Sequence, residues 1–115
     1  MQNNQDNLIV SLTFRFLLDI IEFTEQLEKE RKFILARQLL RSGTSIGANA
    51  REAQGCESKA DFIHKMKIAY KEATETMYWL ELCSNAESYP SPGPLIDSIN
   101  SILRVLGKTI HSSKS

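Results

Sequence analysis

The sequence predicts an all-α protein, an antiparallel up-down-up-down left-handed four-helix bundle, and three observations lead there. Helix breakers are scarce: the chain has five Gly and three Pro, and every proline falls within Tyr89-Pro90-Ser91-Pro92-Gly93-Pro94. Apolar residues recur at steps of three and four in four separate segments. The connections between those segments are short, so successive helices must turn back on one another.

In the first segment, Ile9, Leu12, Phe16, Ile20, Phe23 and Leu27 mark one face of a helix over about 8–29. The stripe lapses at Lys29-Glu30-Arg31-Lys32, where lost apolar phase predicts a tight connection although neither Gly nor Pro marks it. Phe33, Leu39, Leu40, Ile46 and Ala50 restore helical spacing over about 32–55, with Gly55 as the expected C-terminal cap. Ser58-Lys59-Ala60-Asp61 then fits a loose capping box, with Asp in place of Glu or Gln. The third helix, about 59–88, places Phe62, Met66, Ala69, Ala73, Thr76, Leu80 and Cys83 at alternating steps of four and three, a heptad seam suited to a bundle. After the proline segment, Ser91 as cap and Pro92 in the first turn start a helix over about 92–111, with Leu95, Ile99, Ile102, Leu106 and Ile110 on its apolar face. Residues from Ser112 to Ser115 are expected to fray.

All 115 residues are read as a single domain, because the chain is too short for two cores. Fourteen basic and fourteen acidic residues cancel, which disfavours strong non-specific binding of polyanions. No apolar run approaches the roughly 18 positions of a membrane span. The opening MQNNQDN has neither the basic start nor the apolar stretch of a secretory signal, so a cytoplasmic location is expected. Cys56 and Cys83 are then two independent thiols, with no metal-ligand spacing and no redox role.

The second helix holds the unusual composition. Small residues crowd the stretch from Ser42 to Ala53, and two glycines inside a helix each cost about 1 kcal/mol relative to Ala. Gly43 and Gly47 lie four apart on one face, where a neighbouring backbone can come close. Gln38, Ser42, Ser45, Asn49 and Glu52 form a second, polar stripe, and flanking small residues favour its partial burial. If buried, Asn49 and Glu52 require hydrogen-bond partners, since an orphaned polar group costs about 1–3 kcal/mol.

From Phe33 to Cys83 the chain resembles a known family. Arg37-Gln38-Leu39-Leu40-Arg41-Ser42-Gly43-Thr44-Ser45-Ile46-Gly47-Ala48-Asn49, then Arg51-Glu52-Ala53, Ala60-Asp61-Phe62 and Glu72-Ala73-x-Glu75-Thr76-x-Tyr78-Trp79-Leu80-Glu81-Leu82, carry the resemblance. It is to the bacterial four-helix-bundle proteins encoded in intervening sequences of large-subunit ribosomal RNA genes; the accessory variability determinant of diversity-generating retroelements is similar. The resemblance implies a left-handed up-and-down bundle and a homopentameric ring. Better-studied members are basic and associate with nucleic acid or with a reverse transcriptase, whereas this chain is neutral.

That neutrality conceals polarity. Residues 31–71 carry nine basic and three acidic side chains, while 19–30 and 72–97 are net negative. Arg37, Arg41, Arg51, Lys59, Lys65, Lys67 and Lys71 are the candidate nucleic-acid contacts, expected to grip phosphate weakly and without sequence preference. Ion pairing with the acidic segments is the competing role for such a charge run.

No catalysis is expected. Asp61 and His64 resemble half of a di-metal bundle motif, but a complete site needs a second such motif and two further carboxylates. The chain lacks a phosphate loop, nucleophile elbow or zinc spacing, so neither metal nor cofactor is expected. Tyr70, Tyr78 and Trp79 are potential base-stacking platforms, though aromatics on such a helix serve more often as core or interface anchors. Gln38, Gly43, Gly47, Asn49, Glu52 and Trp79 are assigned to structure or to a subunit interface. Two function classes follow: a non-catalytic oligomeric scaffold that engages nucleic acid or a nucleic-acid enzyme such as a reverse transcriptase, and a purely protein-binding ring.

Overall fold

The computed structural model describes residues 4–114, with side chains from Leu8 onward. Four helices account for nearly all of them: α1 (Asn4–Lys29), α2 (Phe33–Ala53), α3 (Lys59–Asn85) and α4 (Leu95–Ser113). Each helix packs on its sequence neighbours and α1 closes on α4, while the diagonal pairs stay apart; this is the up-down-up-down bundle. The rod measures 46 × 19 × 19 Å.

The heptad seam of α3 is buried at all seven positions, from Phe62 to Cys83. On α1, Ile9, Phe16, Ile20, Phe23 and Leu27 enter the core, and Thr13 and Thr24 join them. Burial of these hydroxyls is tolerated because each donates to a carbonyl of its own helix, Thr13 to Ile9 at 2.8 Å and Thr24 to Ile21 at 2.9 Å. Leu95, Ile99, Ile102 and Leu106 supply the α4 side.

Helix α2 departs from its expected stripe: Phe33 and Leu40 are 44% and 41% exposed, and Ala36, Ser42, Gly43 and Ala53 are buried with Leu39, Ile46 and Ala50. The small residues Ala36, Gly43 and Ala53 let α2 lie close to its neighbours, with Leu39 and Ile46 filling the core between them.

The tight α1–α2 connection lies where it is expected, and several other helix ends differ from the expected boundaries. The α1–α2 connection is a Schellman motif, in which Lys32 N–H donates to Leu27 O at 2.8 Å and Arg31 N–H to Glu28 O at 2.9 Å. Its left-handed position, usually glycine, is Arg31 at φ 63°. Gly55 is not a left-handed cap; α2 leaves through Gln54 in right-handed geometry. Helix α4 starts at Leu95 instead of 92, because Gly93 adopts φ 56° and interrupts helical geometry between Pro92 and Pro94. Ser91 caps this turn, not the helix, accepting from Gly93 N–H at 3.2 Å. Helix α3 ends at Asn85, with Ala86 extended, three residues short of expectation. Ser58, as expected, caps α3 by accepting from Asp61 N–H at 3.0 Å. Helix α4 runs on through Ser113, whose hydroxyl donates to Thr109 O at 2.8 Å, so fraying at Ser112 is not seen; Ser115 lies outside the described residues.

Candidate functional site

The two glycines of α2 face α1. A β-carbon on Gly43 would stand 3.3 Å from Ile20 Cγ2, and one on Gly47 would stand 3.6 Å from Thr13 Oγ1. Gly47, Thr44 and Ala48 floor a small groove walled by Val10, Phe14 and Leu17, and the Arg51 guanidinium lies 5.6 Å from the Phe14 ring centroid. Phe14, Leu18 and Ile21 follow one another at steps of four and three along the outside of α1, with exposures of 51%, 51% and 37%.

The opposite edge of α2 forms a polar seam with α3. Ser42 and Thr76, both buried, share a hydrogen bond of 2.7 Å, and Thr76 also donates to Glu72 O. Arg41 donates to Gln38 Oε1 at 3.0 and 3.2 Å, pairs with Glu75 and lies 3.6 Å from Glu72. The same Glu75 oxygen accepts from Trp79 Nε1 at 3.1 Å. Further along, Lys65 donates to Glu52 at 2.8 Å, and this hydrogen bond and the carboxylate's charge raise the Lys65 pKa. Asn49 donates to Ser45 O and Oγ at 2.9 and 3.1 Å. The polar stripe is thus tied within the helix or to α3 at Gln38, Ser42, Ser45, Asn49 and Glu52. Glu72, Glu75 and Thr76 were not singled out from sequence as partners of this stripe, although Glu75 and Trp79 stand one turn apart.

The seven candidate cations do not share one surface. Arg41 and Lys65 sit at the α2–α3 seam and are ion-paired. Arg51 leans toward α1 over Phe14. Lys67 and Lys71 border a groove with Gly107 and Ile110 of α4. Arg37 is exposed on α2, and Lys59 is exposed at the start of α3. Arg104 and Lys108, outside the sequence-based set, face the same α3–α4 groove system.

Among the described residues no group of three or more His, Cys, Asp or Glu is placed to hold a metal ion, and no helix is long and apolar enough to cross a membrane. His64 is exposed. Cys56 and Cys83 are free thiols, and burial pushes the Cys83 thiol up to about 11.

Comparison with known proteins agrees with this architecture. A solved structure, that of a protein with unknown function from the S23 ribosomal protein family of Bacteroides thetaiotaomicron VPI-5482 at 1.70 Å, is similar at 40% identity and a TM-score of 0.87, covering 93% of this chain and 98% of that chain. No curated protein matches. The model of the 23S rRNA-intervening sequence protein family matches residues 5–108, which is most of the bundle. The chain therefore belongs to the 23S rRNA-intervening sequence protein family.

Proposed function

We propose that the chain is a non-catalytic cytoplasmic scaffold that assembles with copies of itself, in a closed ring of five. The observation carrying this reading is the exposed apolar stripe of α1, where Phe14 and Leu18 are each half in water beside Ile21, with Leu40 of α2 exposed at 41%. Apolar patches of this kind mark contact surfaces, and a ring is what resemblance to the family's pentameric members implies. Sedimentation velocity or mass photometry at micromolar concentration tests it. A pentamer is the expected species, and Leu18→Lys with Phe14→Glu is expected to give folded monomers; a wild-type monomer overturns the reading.

A second reading adds nucleic acid, or an enzyme that handles it such as a reverse transcriptase, as the ring's partner. It is supported by the excess of cations over residues 31–71 and by similarity to the accessory variability determinant. The family description names an intervening sequence of 23S rRNA, so RNA is the first polymer to test. Because Arg41 and Lys65 are paired with carboxylates, binding is expected to rest on Arg37, Arg51, Lys67 and Lys71 and to be weak. A gel shift at low salt with random RNA, single-stranded DNA and duplex tests it; absence of any shift leaves the protein-only ring.

A further inference from the structure

The α3–α4 side of the bundle carries a feature that the second reading leaves unassigned. A groove of about 930 Å³ runs between the helices and is lined by Tyr70, Arg104, Gly107 and Lys108 among others. It continues into one of about 410 Å³ bordered by Lys67, Tyr70, Lys71 and Gly107. Tyr70 and Gly107 belong to both, so the two form one channel around a single aromatic ring. Tyr70 is 40% exposed.

The charge of the channel is one-sided. Two cations line the grooves from α3 and two from α4, and neither groove has a carboxylate in its lining. Within each pair the residues stand four apart, a rise of about 6 Å along the helix. Unlike Arg41 and Lys65, none of the four makes an ion pair among the described residues. Arg104 is instead held by a hydrogen bond to Ser101 Oγ at 3.2 Å. Tyr70 lies alongside the α4 backbone, where a β-carbon on Gly107 would stand 3.7 Å from its Cε2.

We infer that this channel is a binding site for single-stranded nucleic acid, with a base stacked on Tyr70 and the flanking phosphates on Lys67, Lys71, Arg104 and Lys108. The inference rests on the nucleic-acid reading and gives it a location and a strand preference. Four unneutralised cations call for a polyanion, and an exposed aromatic ring at their centre calls for one that presents flat apolar faces. A single strand offers both; a duplex keeps its base faces stacked internally, and a bilayer surface presents phosphates without flat aromatic faces. Stacking platforms within a basic groove are the usual means of holding unpaired strands.

The test is fluorescence anisotropy of the full chain with a labelled mixed-sequence RNA 12-mer, titrated across salt concentrations. Tyr70→Ala is expected to weaken binding at least fivefold and Tyr70→Phe to preserve it. Arg104→Gln with Lys108→Gln, both on the surface and away from the core, is expected to flatten the slope of log affinity against log salt by about 1.4, or about 0.7 for each single-strand phosphate that is no longer neutralised. The same sequence as a duplex is expected to bind more weakly. Wild-type binding that all these variants retain overturns the channel assignment while the broader nucleic-acid reading stands. No wild-type binding even at low salt overturns both. Preferential retention by phosphatidylglycerol vesicles over RNA overturns the choice of ligand.

Discussion

Gly43 meets Ile20 more tightly than Gly47 meets Thr13: an added β-carbon would lie 3.3 Å from Ile20 Cγ2 in the first case and 3.6 Å from Thr13 Oγ1 in the second. One turn of helix therefore separates a glycine that the packing uses from one that it tolerates. Gly47→Ala is expected to stabilise the fold by about 0.5–1 kcal/mol through helix propensity alone. Gly43→Ala forfeits part or all of that gain by pressing on Ile20. Urea denaturation of the two variants measures the difference, and equal gains would refute the asymmetry.

Arg31 is the only non-glycine residue with positive φ among those described. A left-handed conformation costs an L-residue roughly 1–2 kcal/mol, and glycine escapes it. Arg31→Gly is expected to stabilise the chain by about 0.5–1 kcal/mol, less than the full relief because glycine also gains freedom in the unfolded state. Arg31→Val is expected to destabilise it. Thermal melts of both variants check the sign.

The polar contact at the bundle centre offers a cycle. Ser42→Ala removes a partner from buried Thr76, which keeps its bond to Glu72 O, and a loss of about 1 kcal/mol is expected. Ser42→Ala combined with Thr76→Val replaces both hydroxyls by apolar groups of similar shape and is expected to lose less than the sum of the single changes. Strict additivity in denaturant unfolding would show that the two hydroxyls do not act together.

For the thiols, position decides reactivity. At pH 8, iodoacetamide is expected to label half-buried Cys56 and to spare Cys83 until urea is added, as read by mass spectrometry. Burial holds the folded Cys83 proton up to about 11, above the unfolded thiol. The associated stability is therefore complete below about pH 8.5 and is lost as the pH climbs through the folded value. Lys65, also raised by its Glu52 partner, sheds its contribution on the same alkaline side, so the two are separated by repeating the pH series on Cys83→Ala.

Legibility from sequence followed the size of the side chains. Helix α3 was readable residue by residue because its heptad seam is sustained over several turns and every position in it reached the core. Helix α2 is legible as a helix and in part of its buried face: Leu39, Ile46 and Ala50 reach the core and Gly43 meets α1 as expected, whereas Phe33 and Leu40, core by hydropathy, stay exposed while Ala36, Ser42 and Ala53 are buried. Lost apolar phase places the tight α1–α2 connection correctly, but its Schellman geometry is not legible because Arg31 occupies the position at which glycine would have announced it. Candidate cations could be named from charge alone, yet their separation into paired and unpaired groups depends on the register of α2 against α3 and of α3 against α4. That register brings Glu72 and Glu75 to Arg41, and sets Arg104 and Lys108 across from Lys67 and Lys71.

The closure of α1 on α4 joins helices from opposite ends of the sequence, while the other three seams join consecutive helices. Consecutive helices meet early in folding because little chain must be drawn together, and loop entropy makes the distant pair wait. Helices α1 and α4 thus each have one local seam and one late seam, whereas α2 and α3 each have two local ones. Native-state hydrogen exchange would accordingly grade the bundle, with the amides of α2 and α3 slowest to exchange and those of the outer pair released first, so that a passing protease finds purchase in the proline-rich connector that tethers α4.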